Sequence, residues 1–112
     1  MAIPSGAGTE VLKRVTSHAQ NGAWVEILSG SNDHIYTILS IIFCNRTGST
    51  YNIEIRVNDG SNDIQILGAT PVGNTGTFVF SDKFVLYEDD DLDVYNAHSD
   101  GDWYVSYIDQ HF

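Results

Sequence analysis

Basic residues are scarce in this chain. Five Lys and Arg stand against 15 Asp and Glu in 112 residues, a formal net charge of -10. A surface of that sign repels nucleic acid phosphates and anionic lipid headgroups, so no nucleic acid and no membrane partner is expected. Cysteine is scarcer still. Cys44 stands alone, which excludes a disulfide within the chain. It ends the apolar run Ile41-Ile42-Phe43-Cys44, has no His or cation beside it to hold a thiolate, and reads as a small buried hydrophobe. Long apolar runs are missing too: the longest, Ile35 to Cys44, is broken by Thr37 and Ser40 and is too short to span a bilayer. The opening Met1-Ala2-Ile3-Pro4-Ser5-Gly6 lacks the basic start and apolar stretch of a signal peptide, so synthesis and folding in a cytoplasm are expected. The sequon Asn45-Arg46-Thr47 is discounted for the same reason.

Signatures of chemistry are equally sparse. There is no nucleophile elbow, no Walker motif and no dinucleotide fingerprint. The four histidines, His18, His34, His98 and His111, have no zinc-ligand spacing. The expectation is a protein without enzymatic activity and without a cofactor.

What the chain does have is strand signals in close succession. Hydrophobic residues make up 42% of it, enough for a core, and only 18% is charged. A turn at Asn21-Gly22 precedes a strand over Ala23 to Leu28, and Ser29 to Asp33 has loop chemistry. Ile35 to Asn45 is so continuously apolar that a central strand buried on both faces is expected. Tyr51 to Val57 alternates, with Tyr51, Ile53, Ile55 and Val57 on one face. Asn58-Asp59-Gly60 is a hairpin signal. Further strands are expected around Ile64 to Leu67, Thr77 to Phe80, Phe84 to Tyr87, Leu92 to Tyr95 and Trp103 to Ile108. No helical period persists. The fold class is therefore all-β: a single-domain antiparallel β-sandwich, jelly-roll or Ig-like, of about eight short strands. Residues 1–16 read as an extended N-terminal arm with an edge strand in it, and 17–112 as the sandwich domain.

Three groups of residues invite a functional reading. Asp89, Asp91 and Asp93, in the run Glu88 to Asp93, alternate as Ca²⁺ ligands do. The Gly and Glu that an EF-hand loop requires are absent, so a hydrated turn is the stronger expectation. The arm carries Ile3, Pro4, Val11, Leu12, Lys13 and Arg14, apolar and basic groups that could dock on an acidic neighbour. Trp103 and Tyr104 belong to an aromatic-rich C-terminal strand, where one alternate face suits the core and the other a subunit contact. A sugar-stacking platform is the rival use of those aromatics.

The opening Met1 to Arg14 resembles the start of small structural proteins of tailed bacteriophages of marine and cyanobacterial hosts. The body is similar to small phage virion β-sandwich proteins in its strand ending Cys44-Asn45, its Thr47 to Thr50 turn, and the segment Phe84 to Tyr95. Related-looking chains often carry a Pro-Ala-Gly turn where this one has Ser29 to His34. The resemblance implies a virion component assembled in the host cytoplasm. The role it favours is a capsid decoration or cement protein on the outside of the head, with a tail, fibre or baseplate component as the alternative. It implies partners among phage structural proteins, the major capsid protein or neighbouring virion subunits, and a homo-oligomer, often a trimer. It carries no catalytic residues.

Overall fold

The computed structural model describes residues 9–18, 22–98 and 100–112. Ile3 and Pro4 lie outside them. The described residues form nine strands: β1 (Thr9–Ser17), β2 (Trp24–Ser29), β3 (His34–Asn45), β4 (Tyr51–Asn58), β5 (Asp63–Val72), β6 (Thr77–Phe80), β7 (Phe84–Tyr87), β8 (Asp91–Asn96) and β9 (Gly101–His111). They make two antiparallel sheets. One runs β1-β9-β3 and then β6, with β7 also on β3; the other runs β2-β8-β4-β5.

The pairing is nested. The β4–β5 hairpin is the innermost pair, β3 pairs with β6 and β7 outside it, β2 with β8, and β1 with β9. A long hairpin rolled up in this way is a jelly roll, which decides between the two sandwich topologies compatible with the sequence. The strand count exceeds the jelly roll's eight because one strand is split. β6 covers Ile41 to Cys44 of β3 and β7 covers Ile35 to Ile38, with Ser81-Asp82-Lys83 between them. β1 pairs with β9 in register over all nine of its residues, so it belongs to the sandwich although it lies within residues 1–16.

The core fills the space between the sheets. The alternating residues of β4, Tyr51, Ile53, Ile55 and Val57, face Ile38, Ile41, Phe43, Trp103 and Val105 of the opposite sheet, all buried. This is the period-2 pattern of the sequence converted to burial. β3 departs from expectation. Its inward residues Ile38, Ile41 and Phe43 are buried, but Ile35, Thr37, Ile42 and Cys44 face outward and are half-buried. Only one sheet packs on the other, so nothing among the described residues covers the second face of β3. Cys44 is accordingly half-buried, not core. β5 is longer than expected and includes Pro71, which an edge strand tolerates because no ladder bond is needed on its outward side and the missing N–H of proline costs nothing there.

Two turns set the ends. At the β4–β5 hairpin, Asp59 Oδ1 accepts from Ser61 N at 3.0 Å and Asn62 N at 2.7 Å, and Gly60 adopts φ +92°, a conformation natural to glycine. After β3, the fully buried Asn45 ties three segments together. Its Nδ2 donates to Ser49 O at 2.7 Å, Val72 O at 3.1 Å and Gly73 O at 3.2 Å, and its Oδ1 accepts from Thr47 N at 2.9 Å and Thr47 Oγ1 at 2.8 Å. The sequon is thus a turn device whose Asn side chain is internal.

Candidate interaction surfaces

The two outward sheet faces differ in chemistry. On the β1-β9-β3 sheet, register places Leu12 opposite Ile108 and Thr16 opposite Tyr104. Ile42 lies opposite both Tyr104 and Val79, and Ile35 opposite Tyr87. This face is largely apolar. Leu12 is 72% exposed, Val79 55%, Val85 50% and Tyr104 42%. A groove of about 530 Å³ runs along it between Leu12, Arg14, Leu39 and Tyr104. The bulge at Leu39, where the β3–β9 register shifts, helps to shape it.

The outward face of the β2-β8-β4-β5 sheet is acidic. Glu26 and Asp93 are cross-strand partners, as are Asp93 and Arg56. Arg56 Nε lies 3.2 Å from Asp93 Oδ2 and its Nη1 3.5 Å from Asp63. The same guanidinium covers the Trp24 ring at 3.9 Å from its centroid, while Tyr95 packs on that ring at 5.4 Å. Burial pushes the Asp93 carboxyl above the usual range, although Arg56 pulls it back. Glu26 is raised because it shares a hydrogen bond with Asp91 and feels that residue's charge.

At one end of the sandwich, Asp109 takes a polar contact from each side. Lys13 Nζ donates to its Oδ2 at 2.7 Å, and His34 Nδ1 lies 2.7 Å from its Oδ1. Burial alone would raise the Asp109 carboxyl, but the contacts with His34 and Lys13 outweigh it and hold the group low. Lys13 is raised by the hydrogen bond and charge of Asp109. His34 also stacks on His111, ring centroids 4.3 Å apart. At the other end, His18 Nδ1 meets Asp102 Oδ1 at 2.6 Å.

The residues singled out from sequence scatter accordingly. Val11 (46% exposed), Leu12 and Arg14 lie exposed on β1. Lys13 is instead committed to Asp109. Trp103 requires a correction: it is 1% exposed, packs on Phe43 at 4.6 Å, donates Nε1–H to Asn96 Oδ1 at 3.1 Å, and is not available to a partner or a sugar. Its neighbour Tyr104 takes the outward face. The three aspartates do not converge. Asp89 sits in the turn against Gly60, Asp91 accepts from Ser29 Oγ at 2.7 Å, and Asp93 goes to Arg56. Among the described residues, no three His, Cys, Asp or Glu are placed to hold a metal ion. The Trp24–Arg56–Tyr95 cluster was missed from sequence, because two-apart charges on β4 and β8 signal only a solvated face until the register is known.

No protein-family model matches the chain, and no curated protein does. A solved structure of Bacillus endospore appendages, which form a novel family of disulfide-linked pili, is similar to it. The match has TM-score 0.59 and 15% identity, and covers 100% of this chain and 96% of that one. At that identity the likeness concerns the fold.

Proposed function

We propose that the chain is a non-enzymatic structural subunit of a phage virion, most simply a decoration protein on the head exterior that binds neighbouring protein subunits and copies of itself. The observation that carries the reading is the division of the surface. One sheet face is largely apolar and, among the described residues, open, with Leu12, Val79, Val85 and Tyr104 exposed, while Glu26, Asp91 and Asp93 gather around Arg56 on the other. An apolar sheet face on so acidic a protein favours docking on protein. The acidic face suits the outside of a shell, away from packaged DNA. Many copies on one particle make weak single contacts sufficient.

The Bacillus neighbour places the same fold in an assembly, but disulfide linkage in series needs two cysteines per subunit. With Cys44 alone, these 112 residues could form one such bond, so a noncovalent assembly is the better fit. Immunogold labelling of virions with antibodies to this chain tests the proposal. Label on the head exterior is expected; label on the tail would support the tail or baseplate role instead, and unlabelled virions would overturn the reading. The N-terminal arm is tested by deleting residues 2–8. A longer deletion, 2–14, would remove six residues of β1 and expose β9. Loss of particle binding by a chain that still melts cooperatively is expected, and retained binding would refute a role for the arm.

A further inference from the structure

We propose that β1 is a homodimerisation edge, pairing antiparallel with β1 of a second copy so that two sheets become one. The proposal holds whether or not the chain is a virion protein.

The sandwich has four edges, and three are blunted. β2 breaks register between Glu26 and Leu28. β5 breaks register twice and carries Pro71. The β6–β7 edge is interrupted by Ser81-Asp82-Lys83. Bulges, proline and interruptions are the usual means of keeping an edge from pairing. β1 has none of them. It runs nine residues in unbroken register with β9 and, among the described residues, has no strand on its other side. Lysine is a common edge guard, but Lys13 is drawn to Asp109 at 2.7 Å.

The β1 sequence is complementary to itself in one register. Set Leu12 opposite Leu12 of the second copy on the twofold axis. Glu10 then faces Arg14 of the second copy, Arg14 faces its Glu10, and Val11 faces its Lys13. Glu10, Leu12 and Arg14 all lie on the outward face, opposite Gln110, Ile108 and Ser106 of β9, so the paired groups share a face. The register covers the axial leucine, 72% exposed in the single chain, and places two opposite-charge pairs symmetrically around it. About six to eight main-chain hydrogen bonds would join the strands. Elsewhere the copies meet as like-charged bodies, net -10 each, so an edge carrying both signs is the favoured place of contact.

Sedimentation equilibrium of the full chain over a wide concentration range tests this. A monomer–dimer equilibrium is expected. Glu10→Arg alone and Arg14→Glu alone each set like charges opposite each other twice and should weaken association about tenfold. The double variant Glu10→Arg/Arg14→Glu restores both pairs and should return association to within about threefold of wild type. Leu12→Cys in a Cys44→Ser background places two thiols on the axis, where directly opposite strand residues have the Cα separation a disulfide needs, and should cross-link to dimer under mild oxidation. A monomer throughout, a trimer, failure of the double variant to rescue, or failure of the axial cysteines to cross-link would each overturn the proposal. All four substitution sites are exposed or half-buried, and thermal melts near wild type confirm that the variants fold. A free dimer that labels no virion would refute only the functional reading above.

Discussion

Replacing Asn45 by Asp exchanges an amide nitrogen for an oxygen at a site with no solvent exposure. The nitrogen shares its two protons among three carbonyls, those of Ser49, Val72 and Gly73, at 2.7 to 3.2 Å. An ionised Asp there would point a carboxylate oxygen at three carbonyl oxygens. Each lost hydrogen bond is worth about 1 kcal/mol, and each carbonyl left unsatisfied adds about 1–3 kcal/mol where water cannot reach it. Two of the three contacts are only part-buried, so water can replace much of what is lost, and we place the total well below the full sum, at about 3–5 kcal/mol, similar to stranding one charge of a buried pair. At the entropy density typical of small domains, a chain of this size loses about 4 °C in Tm per kcal/mol, hence about 12–20 °C. The sign of the pH dependence follows. The two Thr47 donors favour a carboxylate, but burial and three carbonyl dipoles outweigh them, so the folded pKa of the variant residue rises above its unfolded value of ~3.9. Relative stability is then highest below the unfolded value, where a protonated carboxyl restores one donor, and is lost as pH rises through the folded one. Thermal melts of both proteins from neutral to acid pH check this. A loss under about 1 kcal/mol at pH 7, or a gap that does not narrow with acid, would refute the account of Asn45.

Gly101→Ala places a methyl on the ring of Phe43 and 2.9 Å from the Tyr51 hydroxyl, both in the core. Overpacking of this kind costs about 1–3 kcal/mol, so calorimetry should record a Tm drop of about 4–12 °C. Asp109 has a folded pKa below its unfolded value, so its contribution is present above the unfolded pKa and is lost as pH falls through the folded one. Wild type should lose more stability on acidification than Asp109→Asn does, and parallel acid titrations followed by Trp fluorescence would show it. Glu26→Gln removes a carboxylate that Asp91 and Asp93 hold in an unfavourable charge state. Tm at pH 7 should rise slightly, and the gain should fade as pH falls through the raised folded pKa of Glu26 towards its unfolded value; a lower Tm at pH 7 would contradict the repulsion.

Strand content was legible because it rests on local chemistry. Tyr51 to Val57 alternates with period 2, and turn residues bracket nearly every strand, so Thr77–Phe80 and Phe84–Tyr87 are found where the sequence puts them. Boundaries were less legible. β5 extends to Val72 and β9 to His111, because cross-strand pairing sustains a strand past the residues that prefer it. The candidate surface was legible in part. Leu12 and Tyr104 could be named, but which face of β9 carries Trp103 inward depends on the sheet opposite, and period 2 alone is silent on that choice.

Composition and alternation by themselves determined a small acidic all-β sandwich with a single thiol. Local periodicity and net charge survive any rearrangement of the strands, and so can be read without knowing it. Strand order could not be read, since a jelly roll and an Ig-like sandwich draw on the same short alternating strands and differ only in which distant ones pair. Tertiary structure alone decided that, among the described residues, β1 ends a sheet and the apolar outer face of β3 stays open, that Lys13 is spent on Asp109 across 96 positions of chain, and that Arg56 lies over Trp24. Each of these depends on a register between segments remote in sequence, and register is fixed by the packing of the whole core.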